Sequence, residues 1–282
     1  MPEIPELETI AAVLNRRIKG QAITSATVRI PVVVRQPAVP EFTATLTGNR
    51  FLGARRVGKY VLATLESGHV LAINLMLTGR LQLAEPGARL LARTSWIIAF
   101  ENGKELRLAG ERLDARVYLV PIDKLAVVPQ FSDMGPDALD PALTFDVYRE
   151  RLRKFTGQIK GVLVNHKFIA GTGNAYADEI LFEAKVYPFE PSRNLSEEKQ
   201  RALYDAMHRV YAWAVPRAAQ EMGEKLEVKV RDFLKVHRKG GQPCPNCRTT
   251  ITEVTPNQRI TSYCRNCQGW GQARLRGSSM VP

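Results

Sequence analysis

The feature that most constrains this chain is where its four cysteines stand: Cys244-Pro245-Asn246-Cys247 and, after sixteen intervening residues, Cys264-Arg265-Asn266-Cys267. Each Cys-x-x-Cys turn aims two thiolates at one point. Two such turns at the ends of a hairpin supply four sulfurs for a tetrahedral zinc with no vacant position, so the implied metal is one structural Zn2+ held by Cys244, Cys247, Cys264 and Cys267. Two disulfides or a redox pair would use the same residues, but matched pairs at this separation favour the metal. With no cysteine elsewhere in the chain there is no disulfide framework to build.

Between the pairs, Thr255-Pro256-Asn257-Gln258-Arg259-Ile260 reads as a polar turn between two β-type runs, Thr249 to Val254 and Ile260 to Tyr263. A metal-pinned hairpin would hold Arg259 on a rigid tip. The approach to it, Lys229 to Lys239, carries five Lys/Arg against one Asp. Such a run is often only a solvated face, but the whole chain is basic, with a formal charge of +12 and a pI near 9.7. That balance suits a polyanionic partner whose counterions are released on binding; charge alone does not separate DNA from RNA. There is no apolar run long enough for a membrane span and no signal-peptide layout, so a reduced, cytoplasmic setting and no membrane partner are expected.

The periodicity changes along the chain. Residues 3 to 19 read as a helix with Leu7, Ile10, Ala11, Leu14 and Ile18 on one face. From about Ala22 to Val120 short β-type runs follow, among them Thr24 to Ile30, Tyr60 to Leu65, Val70 to Ile73 and Trp96 to Phe100, with an Asn-Gly turn at Asn102-Gly103. Pro121 to Pro141 reads as a linker, and helical patterns then cover Thr144 to Phe155, Asp178 to Ala184 and Ser196 to Met222. The expectation is an α+β multidomain chain: an N-terminal helix plus β-sandwich over 1–120, a linker over 121–140, a helical module over 141–240, a zinc-ribbon hairpin over 241–270 and a tail over 271–282.

Two further segments carry candidate chemistry. In Gly171-Thr172-Gly173-Asn174, two glycines surround one residue and Asn174 opens a helix, either as its cap or as a polar group facing a ligand; a phosphate suits the backbone N–H groups there. At the N-terminus stands Met1-Pro2-Glu3-Ile4-Pro5-Glu6. Removal of Met1 would expose Pro2, a secondary amine able to attack a sugar aldehyde carbon and partly unprotonated near neutrality. Glu3 beside it can protonate a leaving group, and Glu6, one helical turn on, can hold or polarise the same substrate. Proline and glutamate are also ordinary residues in a first helical turn.

Taken together, Pro2-Glu3-Ile4-Pro5-Glu6-Leu7-Glu8-Thr9, Gly58-Lys59-Tyr60, Gly171 to Glu179, and Gln258-Arg259 ahead of Tyr263-Cys264 resemble the formamidopyrimidine-DNA glycosylase / endonuclease VIII family, in family order and over residues 2 to about 268. The resemblance implies a β-sandwich, a helix-two-turn-helix module and a zinc hairpin acting as a monomer on damaged double-stranded DNA. It implies a bifunctional base-excision enzyme in which Pro2 attacks C1′, Glu3 is the general acid and Lys59 assists. Asn174 and Arg259 would grip phosphates beside the extruded nucleotide, with Arg259 also linked to a second elimination, and Lys160 would be a further basic DNA contact. An idle damaged-DNA-binding module, or an RNA-binding zinc ribbon, would share the charge and the cysteines, but neither calls for Pro2, Glu3 and Lys59 together.

Two departures from the family pattern bear on substrate choice. The family fills the gap left by the extruded base with a methionine and an Arg-x-Phe pair; here the matching stretches read Asn74-Leu75-Met76-Leu77-Thr78-Gly79 and Arg112-Leu113-Asp114. Leu77 stands at the methionine and Asp114 at the phenylalanine, with Arg112 kept. The interval from Gly223 to Cys244 is short, which removes most of the segment that covers an extruded 8-oxoguanine. Poor activity on that base is therefore expected.

Overall fold

The computed structural model describes residues 1–269; the tail at 271–282 and Trp270 lie outside the described residues. The chain divides into two compact units, one of residues 1–133 with 215–230, the other of residues 134–214 with 231 onward.

In the first unit, helix α1 (Ile4–Ile18) is followed by β1 (Ile23–Val28), β2 (Val34–Gln36), α2 (Val39–Leu46), β3 (Phe51–Val57), β4 (Tyr60–Leu65), β5 (His69–Asn74), β6 (Arg80–Ala84), β7 (Thr94–Phe100), β8 (Glu105–Ala109) and β9 (Arg116–Pro121). The strands form two sheets, ordered β1-β7-β8-β6 and β2-β9-β5-β4-β3. Pairing is antiparallel except at β2–β9. Register places Leu71 opposite Leu119 and Ile73 opposite Val117, so the period-2 alternation sends these side chains to one face. There they meet Trp96, Ile98, Leu106 and Leu108 of the other sheet, along with the Leu7, Ile10, Leu14 and Ile18 stripe of α1, in one core. This is the sandwich with a leading helix that the apolar periods imply.

The outer face of the larger sheet is covered as well. Tyr60, Leu62, Val70 and Tyr118 pack against Leu125, Val128 and Phe131, so the first half of the Pro121–Pro141 stretch is a packed strap. Its apolar residues recur every three positions, a spacing masked in the sequence by the prolines and acids around them.

The second unit holds α3 (Phe145–Arg153), α4 (Ile159–Leu163), α5 (Asn174–Glu183), the 26-residue α6 (Glu197–Met222), whose last turns belong to the first unit, and a hairpin of β10 (Thr252–Val254) and β11 (Thr261–Tyr263). Thr144 caps α3 by accepting from Val147 N, and Ser196 accepts from Lys199 N at the start of α6. Helix α5 is buried over Ala175 to Phe182, the acids Asp178 and Glu179 included. No helix among the described residues is long and apolar enough to cross a membrane.

Candidate functional site

The first candidate centre is the start of α1. Glu3 is the N-cap, and Pro5 in the first turn suits its fixed φ to a helix start. Glu3 N donates to Glu6 Oε2 at 2.9 Å, while the Glu3 side chain accepts from the Glu6 backbone, a reciprocal capping box. Both carboxylates are nearly sealed, 3% and 2% exposed. Pro2 directly before them is half-buried. The box thus orders Glu3, the residue that follows Pro2, and Glu6, read from sequence as a substrate contact, is the group that orders it.

Lys59 occupies the β3–β4 turn behind Gly58, whose φ of +56° is in the left-handed region. Arg56, with a side chain only 3% exposed, joins this turn to α1: its Nε donates to Glu8 Oε1 at 2.8 Å and its Nη1 to Gly58 O at 3.1 Å. Asn15 adds a second tie, donating to Ala54 O and accepting from Ala54 N. Helix α1, which Pro2 and Glu3 precede, and the turn that carries Lys59 are therefore tied by side-chain hydrogen bonds. Neither Arg56 nor Asn15 shows in the sequence as a structural tie, because each stands beside a basic residue, Arg55 or Arg16, and such a polar step reads as a solvent-facing position.

Leu77 and Arg112 lie on adjacent loops of the same unit, both exposed. Asp114, expected to face DNA in place of an aromatic ring, is instead turned into the Leu77 loop. Its Oδ2 accepts from Leu77 N at 3.0 Å and its Oδ1 from Thr78 Oγ1 at 2.7 Å and Thr78 N at 3.3 Å. Burial alone would raise this carboxyl's pKa; the bonds from Thr78 and Leu77 outweigh that and hold it below the usual carboxylate value.

The second centre belongs to the helical unit. A cavity of about 340 Å³ is lined by Lys160, Asn174, Phe189, Arg259 and Thr261 among others. Gly173 is the cap of α5 and Asn174 its first residue. The Asn174 side chain donates across to Ile260 O at 2.8 Å, leaving its buried Oδ1 without a hydrogen-bond partner. Arg259 is exposed at the tip, after a single turn of 3-10 helix. Lys160 sits at the base, 6% exposed, and its ammonium donates to Ile260 O at 2.7 Å and Thr261 Oγ1 at 2.9 Å, with Asp178 Oδ1 at 2.7 Å. Two hydrogen bonds thus tie Lys160 to the hairpin, and one ion pair ties it to α5.

The Asp178-Glu179 pair completes this junction. Asp178 also accepts from Ser262 N and meets His237 Nδ1 at 2.8 Å. Glu179 takes three consecutive backbone N–H groups, Lys235, Val236 and His237, at 2.9 to 3.0 Å. Burial raises the Glu179 pKa, and these three donors only partly offset it. Two adjacent acids flanked by Ala177 and Ile180 were the available signal for this junction.

The four cysteine sulfurs lie within 4.8 Å of one another, with Cys244–Cys267 at 3.8 Å and Cys247–Cys264 at 3.4 Å. A tetrahedron of Zn–S bonds near 2.3 Å has edges of about 3.8 Å, so the residues present fit the ion. Hydrogen bonds from Thr249 and Asn266 hold the Cys247 thiol at about 5, whereas burial and the neighbouring sulfurs push Cys264 and Cys267 upward. A dication removes that conflict, and one structural zinc closes the hairpin.

Comparison with known proteins agrees with this construction. Residues 1–117 match the formamidopyrimidine-DNA glycosylase N-terminal domain, 134–225 its H2TH domain, and 241–269 the zinc finger found in FPG and IleRS. The formamidopyrimidine-DNA glycosylase of Desulforamulus reducens is 35% identical over 95% of this chain and 99% of its own length, and that of Pelotomaculum thermopropionicum is 32% identical with the same coverage. The Lactococcus lactis enzyme bound non-covalently to DNA containing an abasic site superposes with a TM-score of 0.85 at 27% identity, over 95% of this chain and 99% of that one. Its complex with DNA containing a formamidopyrimidine lesion gives 0.86 at 29%, over 94% and 99%. On these grounds the chain belongs to the formamidopyrimidine-DNA glycosylase family.

Proposed function

We propose that the protein excises damaged bases from duplex DNA and cleaves the resulting abasic site, using the N-terminal amine of Pro2. The observation that carries this reading is the capping box, which orders the buried Glu3, the residue that follows Pro2 in the chain, at the start of α1. With Met1 removed, the Pro2 nitrogen attacks C1′ and the glycosidic bond breaks, the base leaving with a proton. Ring opening, with the sugar oxygen protonated by Glu3, gives an iminium ion. Loss of a C2′ proton expels the 3′ phosphate, and water then releases the amine. Lys59, held against α1 through Arg56, supplies positive charge near the reacting sugar, while Arg259 and Asn174 bind flanking phosphates. Four reduced cysteines go with a cytoplasmic setting.

A base within the stack is unreachable, and extruding it costs a few kcal/mol, least where pairing is already poor. The short Gly223–Cys244 interval and the lack of an aromatic wedge at Asp114 favour abasic sites, ring-opened purines and oxidised pyrimidines over 8-oxoguanine opposite cytosine. Borohydride reduction in the presence of abasic duplex tests the reading. The expected result is a covalent adduct that maps to Pro2 and disappears when Met1 is retained. No adduct would leave an idle DNA-binding protein, and an adduct on a lysine would remove Pro2 from the mechanism.

A further inference from the structure

Leu77 is the most exposed large apolar side chain among the described residues, at 57%, yet its backbone is among the most tightly held. Asp114 accepts from Leu77 N, and from both the amide and the hydroxyl of Thr78. The Thr78 hydroxyl in turn accepts from Arg112 N at 3.1 Å, linking the two loops. Asn74, itself buried, accepts from Met76 N at 3.0 Å and supports Met76 at a φ of +49°. The turn then closes through Gly79 N to Leu75 O at 2.9 Å; a Cβ on Gly79 would come within 2.3 Å of that carbonyl, so only glycine fits. The exposed apolar side chain thus stands on a loop held in place by these hydrogen bonds.

We propose that Asp114 is a positioning residue that holds Leu77 ready as an apolar wedge into the DNA base stack, an inference that rests on the base-excision reading above. The carboxylate trades one task for another. It cannot stack in the gap as an aromatic ring does, and it fixes in advance the loop that delivers Leu77, so less ordering remains when the wedge enters. Because its hydrogen bonds keep it ionised below the usual carboxylate range, this arrangement persists across the pH range in which duplex DNA is intact.

The test uses the full-length zinc-loaded protein and a duplex with a tetrahydrofuran abasic analogue and 2-aminopurine opposite it, whose fluorescence rises as the wedge unstacks it. D114N puts an amide N–H2 against the Leu77 or Thr78 donors while keeping shape. It should slow the stopped-flow rise about tenfold, the scale of one charge-assisted hydrogen bond, with a clearly smaller loss of equilibrium affinity. D114A should slow it at least as much, L77A should abolish the rise, and T78V should give an intermediate rate. A D114N rate equal to wild type, or equal proportional losses in rate and affinity, would overturn the proposal, and so would a wild-type protein that binds without any rise. If D114A does not fold, D114N decides. The rise needs no bond cleavage, so it judges the wedge even if the borohydride experiment fails, and a successful adduct with no rise would leave the catalytic reading standing alone.

Discussion

The start of α1 and the Arg259 pocket are stabilised over very different lengths of chain. At α1 the ordering bond joins residues three positions apart, on a helix whose apolar stripe is sealed into the sandwich core. At the pocket the bonds from Asn174 and Lys160 span 86, 100 and 101 positions, and they end on a hairpin too short to hold its own shape. Zinc supplies what that hairpin lacks. The start of α1, where the proposed nucleophile stands, is thus organised by one helix and its sheet, the proposed phosphate grip by a metal and a buried ionic junction, and the two should fail under different insults.

Removing the metal should produce the largest separation. Structural zinc is worth on the order of 10 kcal/mol or more to a small folded unit, so chelation, or Cys264→Ser, should unfold the β10–β11 hairpin. It should also release the Lys160 and Asn174 contacts to Ile260. Hydrogen exchange would show protection lost over residues 251–263 and at the start of α5, with α1 and β3 still protected and DNA affinity reduced by more than tenfold. Equal loss of protection in α1 would mean that the two centres are not independently stabilised.

This contrast also accounts for what could be read from the sequence. Period-3.6 and period-2 patterns are local, so α1, β4, β5 and β7 could be placed to within a residue or two, and the paired cysteines announced the zinc hairpin. The four motifs supplied the candidate site residues. What stayed hidden was long-range polar pairing. Nothing near Lys160 indicates that its ammonium ends on Asp178, Ile260 and Thr261, and Lys160 therefore read as a DNA contact. Asp114 read as a lost aromatic, because its partners Leu77 and Thr78 stand on a loop 36 and 37 positions away. The strap over the outer sheet face was obscured in the same way, since its apolar residues find partners only once β4, β5 and β9 are assembled.

The smallest expected effect sharpens the comparison within the pocket itself, between two basic residues that line one cavity. Lys160→Met leaves the Asp178 carboxylate, which is fully buried, without its cation. Breaking one half of a buried pair costs about 3–5 kcal/mol, although His237 on the other oxygen should reduce that, and denaturant unfolding of the zinc-loaded protein would measure it. Arg259→Ala removes an exposed side chain at the tip, so stability should stay within about 0.5 kcal/mol of wild type. The slope of log affinity against log salt should nevertheless fall by about one unit, the equivalent of one phosphate contact, on damaged and undamaged duplexes alike. One residue then acts on the fold and the other on the ligand, although both are cations in the same pocket. A salt slope unchanged by Arg259→Ala would remove the hairpin tip from the DNA interface, and a stability loss equal to that of Lys160→Met would place Arg259 in the junction instead.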